Sequence, residues 1–128
     1  YHHVPGGKAD LFVEVMERIY ARHRSGLSAA LVAAEPELRA QCYAAARWLL
    51  AQPPMDLVRL ERIDMPELAP AQIQRLSNGA YTALQLPLVQ ALSAAHQRGE
   101  IAAHDFDLIS GGLVGLIESL FAVSETVA

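Results

Sequence analysis

A tyrosine, two histidines, a Pro-Gly-Gly turn and a lysine stand together in the stretch Tyr1-His2-His3-Val4-Pro5-Gly6-Gly7-Lys8. An amphipathic segment follows at once. This grouping has the chemistry of an anion contact. The backbone N–H groups of Gly6, Gly7 and Lys8 fall at a predicted helix N-terminus, where an anion is favoured. Glycine lets a phosphate approach the backbone closely. Lys8 adds a full charge, and the Tyr1 hydroxyl and the rings of His2 and His3 can donate to phosphate oxygens. Contacts of this kind position a protein on nucleic acid without reading its sequence. A solvated helix start flanked by polar residues has the same composition, so residue types alone leave both readings open.

Other reactive residues point to less. His23, His96 and His104 are scattered, no pair has metal-ligand spacing on one helix, and adjacent His2 and His3 diverge, so no metal site is expected. Cys42 reads as a small core residue, since a redox thiol needs an exposed, electropositive setting. No nucleophile motif links the Ser, His and Asp residues, and neither an enzyme nor a cofactor is expected. Gly111, Gly115 and Ser119 recur every fourth residue in the last apolar segment, and Ala122 continues the row. Small residues in a row let another backbone come close, and Ile109, Leu113, Leu116, Ile117 and Leu120 surround the groove. A homodimer interface and the buried central helix of a monomer both fit this pattern; the interface is the favoured expectation.

These residues must be carried by helices. Apolar residues make up 52% of the 128 and aromatics 6%. Ala and Leu dominate, and alternating β-branched runs are missing, which favours an all-α domain of ordinary size. A first helix starts near Lys8, with a stripe of Leu11, Phe12, Val15, Met16, Ile19 and Tyr20. It reaches Ala34, with a weak point at Ser25-Gly26. Glu35-Pro36 is expected to start a second helix, ending near Gln52 before Pro53-Pro54. Its stripe is Leu38, Cys42, Ala45 and Leu49, with Ala44 and Trp48 pointing elsewhere. A short helix is expected from Met55 to Ile63. One long helix runs from Pro70 to about Arg98, kinked at Pro87 and stopped by Gly99. The last helix is expected from about His104 to Val127.

The longest apolar stretch, Leu108 to Val123, contains Glu118 and is shorter than the roughly 20 residues a membrane span needs. The single cysteine fits a reducing cytoplasm. Net charge is −4, which by itself argues against nucleic acid. Its distribution is uneven: residues 1–24 hold four basic and three acidic residues, and the remainder six and eleven.

The opening resembles the end of the helix-turn-helix head in TetR-family transcriptional regulators, through Tyr1, His3, Lys8, Leu11 and Phe12. Val4 stands where that family usually has Phe, and the Pro5-Gly6-Gly7 turn is one residue longer than the commonest form. The Pro-Gly-Gly-Lys version resembles the branch of lincomycin-resistance and related multidrug repressors. The tail from Arg98-Gly99-Glu100-Ile101 into the last helix also resembles the family. The resemblance implies a division of the chain: residues 1–7 a remnant of the DNA-binding head, residues 8–128 a TetR-like ligand-binding and dimerisation bundle. It places most of the recognition helix upstream of Tyr1. It implies a repressor released from operator DNA by a small lipophilic molecule. The pocket is expected among Met16, Tyr20, Trp48, Met55, Tyr81, Gln85 and Leu88, with neutral or weakly acidic ligands. It further implies a homodimer through the last helix. The acidic charge equally fits a rival, a helical homodimer that binds ligand or protein and never touches DNA.

Overall fold

The computed structural model describes residues 7–52 and 67–127, with side chains to residue 120. The regular structure of those residues is helical, without strands. The helices are α1 (Gly7–Ala33), α2 (Leu38–Ala51), α3 (Pro70–Ala80), α4 (Leu86–Gln97) and α5 (Phe106–Val127), and a π-helical turn, Tyr81–Gln85, joins α3 to α4. The all-α expectation holds. The helix expected over Met55 to Ile63 lies outside the described residues.

Helix α1 is the axis of the bundle and packs against α2, α3, the π turn and α4. Its buried residues are Val13, Met16, Tyr20, Leu27 and Leu31. Leu11 and Val15, expected inside, are about half exposed. The core stripe therefore runs one residue to the side of the expected one, with Phe12 and Ile19 at its margin. Ser25-Gly26 does not weaken the helix. The Trp48 ring of α2 fills the place of the missing side chain: a Cβ on Gly26 would lie 2.0 Å from Trp48 Cζ2.

The second helix starts at Leu38, later than expected, with Glu35-Pro36 held in the turn that leaves α1. Glu37 is its extended N-cap and makes no side-chain cap. The missing partner comes from 62 residues away: the Leu38 N–H donates to the Glu100 carboxylate at 3.2 Å. Core positions on α2 are Gln41, Ala45 and Leu49. Gln41 was not anticipated inside. Its Nε2 donates to the Leu31 carbonyl at 3.0 Å, one of the last four of α1, which have no partner within the helix.

Proline at position 87 lacks an N–H, and its ring would clash with the carbonyl four residues earlier. The chain answers with the π turn immediately upstream, where the Leu86 N–H reaches the Tyr81 carbonyl. The Thr82 hydroxyl donates to the Asn78 carbonyl at 2.8 Å, competing for a helical acceptor in the same stretch. The expected kinked helix thus runs from Pro70 to Gln97, and its kink is a π turn. It ends in a Schellman motif. Gly99 has φ +84°, and the N–H groups of Gly99 and Glu100 reach His96 and Ala95 carbonyls at 3.0 Å.

Asp105 starts α5 at Phe106, two residues after His104, because its carboxylate accepts the Leu108 N–H at 3.1 Å. α5 lies against α4, the π turn and α2. Leu113, Val114 and Ile117 face the core, whereas Leu108, Leu116 and Leu120 are exposed. At the centre Met16, Leu27, Leu49, Leu84 and Leu88 interlock, each buried leucine contributing about 1.5–3 kcal/mol of transfer free energy.

Candidate functional site

Helices α1 and α3 run side by side in the same direction, which three contacts establish. Gln72 Nε2 donates to Asp10 at 2.7 Å. Arg75 grips Glu17 with Nη2 at 2.5 Å and Nε at 3.3 Å. Tyr20 covers Gly79, where a Cβ would lie 2.9 Å from the ring. Between α1 on one side and α3 with the π turn on the other lies a cleft of about 630 Å3. One wall is α1, with Glu17, Tyr20, Ala21, Arg24, Ser25 and Ser28. The other is α3 and the π turn, with Arg75, Asn78, Gly79, Thr82 and Ala83. The volume lies in the range of small-molecule sites.

The Tyr20 phenol holds its proton above the ordinary range, first because it is buried and then because the Glu118 charge opposes ionisation. It is therefore a donor at neutral pH. Arg75 is held protonated by its hydrogen bond to Glu17.

Of the expected pocket residues, Tyr20 lines this cleft. Met16 and Leu88 are buried core. Trp48 is committed to Gly26 and meets His23 edge-on at 5.4 Å between ring centroids. Tyr81 and Gln85 turn to α5 instead: the Tyr81 hydroxyl donates to the Asp107 carboxylate, and Gln85 Nε2 donates to the Asp107 carbonyl at 3.4 Å. The bond to Asp107 pushes the Tyr81 phenol upward. Met55 lies outside the described residues. The expected set is thus dispersed over the core, the α1–α2 contact and the π turn–α5 contact.

Lys8 is exposed in the first turn of α1, and Gly7 before it has φ +49°. Tyr1, His2 and His3 lie outside the described residues. In the small-residue row of α5, Gly111 faces its own chain, because a Cβ there would lie 3.1 Å from Gln85 Nε2. It does not belong with the outer face. Gly115 has nothing within 4 Å, and the Ser119 hydroxyl, exposed, donates to the Gly115 carbonyl at 2.9 Å. Ala122 lies on α5 outside the residues with described side chains.

Burial pushes the Cys42 thiol above its usual range, opposite to a reactive cysteine. No cluster of three or more metal-ligating side chains occurs among the described residues, and none of the described helices is long and apolar enough to cross a membrane.

Arg24, Arg75 and Asn78 were missed as site residues. A signal was available: Glu17, Tyr20, Arg24 and Ser28 recur at helical spacing, as do Arg75, Asn78 and Thr82. Each makes a polar stripe beside an apolar one. Comparison with known proteins gives no matching family model, curated protein or solved structure.

Proposed function

We propose that this chain is the sensor and dimerisation body of a ligand-responsive DNA-binding transcriptional regulator, a cytoplasmic repressor released from its operator by a small molecule. The observation that carries the reading is the path of α1. One unbroken helix holds exposed Lys8 in its first turn and the cleft wall from Glu17 to Ser28. At 1.5 Å per residue, Lys8 and Tyr20 are separated by about 18 Å of rigid helix. A ligand that tilts α1 at the cleft moves the Lys8 end, and with it any head attached there. Ligand binding regulates only if it favours one head spacing over another.

The π turn supplies a second lever. Thr82 and Ala83 line the cleft, and Tyr81 and Gln85 of the same five residues hold Asp107 of α5. The exposed leucines of α5 suit a homodimer partner, which would pair two heads on successive major grooves. A helical dimer without DNA binding is the second reading, favoured by the net charge of −4.

The test uses the complete reading frame that contains this segment, in operator selection followed by binding at graded salt. Lys8→Ala should weaken binding to all sequences alike and flatten the log–log salt slope by about 0.9 per lost phosphate contact. A complete protein that selects no DNA sinks the regulator and leaves the dimeric ligand-binding module.

A further inference from the structure

The groups lining the cleft differ in what they have left to offer a ligand. Both Glu17 oxygens are taken by Arg75. Asn78 accepts from Gln74 at Oδ1, 2.9 Å, so its NH2 remains free to donate. Thr82 spends its proton on the Asn78 carbonyl. Arg24, exposed on the same wall, makes no ion pair among the described residues. The donors that remain are the Arg24 guanidinium, Nη1 of Arg75, the Asn78 amide, and the hydroxyls of Ser25 and Ser28, which with Thr82 Oγ1 can also accept. Among the described residues, the one carboxylate lining the cleft, Glu17, is already neutralised by Arg75. The apolar part of the lining is the Tyr20 ring, packed over Gly79, together with Ala21 and Ala83.

We propose that the cleft binds a small aromatic carboxylate, its anionic group on Arg24 and its ring over Tyr20 and Ala83. Among the described residues of the cleft one guanidinium, that of Arg24, has no ion pair, which matches a monoanion, and its planar fork matches a carboxylate in two parallel hydrogen bonds. Asn78 and Ser28 serve further acceptor substituents. A wall whose unpaired charge is positive penalises neutral ligands, because the charged group would be covered without a partner. The proposal rests on the cleft as the effector site, but binding is read on this chain directly and needs no DNA.

The experiment titrates the chain with benzoate, phenylacetate and 2-naphthoate, and with the three corresponding amides, following amide shifts by NMR. The acids should bind saturably, with shifts in α1 and the π turn, and each amide about tenfold or more weaker. Arg24→Gln should weaken the acids by about tenfold, the scale of a lost charge-assisted contact, and Arg24→Lys by less. Arg22→Gln, exposed on α1 but outside the cleft, should change binding less than about twofold. Equal binding of acids and amides overturns the proposal. So does an equal loss in Arg22→Gln and Arg24→Gln, or no binding by any of the three acids. Operator release by neutral compounds without acid binding sinks this proposal alone; acid binding without any operator response sinks the regulator alone.

Discussion

A glycine in the middle of a helix costs about 1 kcal/mol relative to alanine when nothing else intervenes. At Gly26 something does. The Trp48 ring lies where the side chain would be, so the close approach of α2 to α1 depends on hydrogen at that position. Gly26→Ala should therefore destabilise the fold by about 1–3 kcal/mol, the usual cost of overpacking, although propensity alone predicts a gain. Urea unfolding followed by Trp48 fluorescence checks it, and a rise in midpoint would show that the ring moves aside freely. The same arrangement recurs with Tyr20 over Gly79. Helical periodicity reads which face of one helix is apolar; it does not say which ring of another helix will lie on it. Ser25-Gly26 thus read as a weakness and Trp48 as a pocket wall, when the two are halves of one contact. The polar stripe of Arg24 and Ser28 was legible by spacing, but its opposite wall was not, because periodicity within α1 does not say that α3 and the π turn will face it.

Elements are tied together here by residues far apart in sequence. Gly99 was readable as a helix stop, since its left-handed conformation favours glycine. The purpose of the next residue was not readable, because its partner is the first amide of α2. The Schellman turn presents Glu100 to the Leu38 N–H, and Arg98 holds the carboxylate at 2.7 Å. Hydrogen bonds from Arg98 and then Leu38 keep the Glu100 carboxyl below its ordinary value of 4.5. A carboxylate with a depressed folded pKa contributes stability above its unfolded pKa and loses it as pH falls through the folded one. Glu100→Gln should lower the melting temperature at neutral pH, with a constant deficit down to about pH 5 and a shrinking one below about pH 4. Thermal melts of both proteins across that range decide the matter; a deficit that persists undiminished into acid would mean that charge is not what Glu100 supplies. Pro87 likewise announced a kink, but not its form. In the π turn Tyr81 and Gln85 both hold Asp107 of α5, a partner that spacing within one helix does not show.

On the molecule as a whole, α5 divides its residues between two surfaces. Gly111 closes against Gln85 of its own chain, whereas Leu108, Leu116 and Leu120 are 72%, 66% and 53% exposed, with open space at Gly112 and Gly115. Three leucines on one outward stripe make an apolar patch of the kind monomers rarely leave uncovered. The proposed dimer covers it, with Gly115 letting the partner helix approach. The two glycines, four residues apart, then predict opposite failures. In a single chain a leucine at 115 meets nothing and slightly favours the helix, so Gly115→Leu should leave the circular dichroism and melting of the monomer intact. In the dimer the same side chain wedges the helices apart, at a cost of about 1–3 kcal/mol, or about 5- to 150-fold in dissociation constant. Gly111→Leu should instead drive into Gln85 and lower thermal stability whatever the association state. Sedimentation equilibrium over a wide concentration range, beside melts of each variant, separates these outcomes. Wild-type chain that sediments at 13.9 kDa throughout, or a Gly115→Leu variant that dimerises unchanged, would remove α5 as the interface.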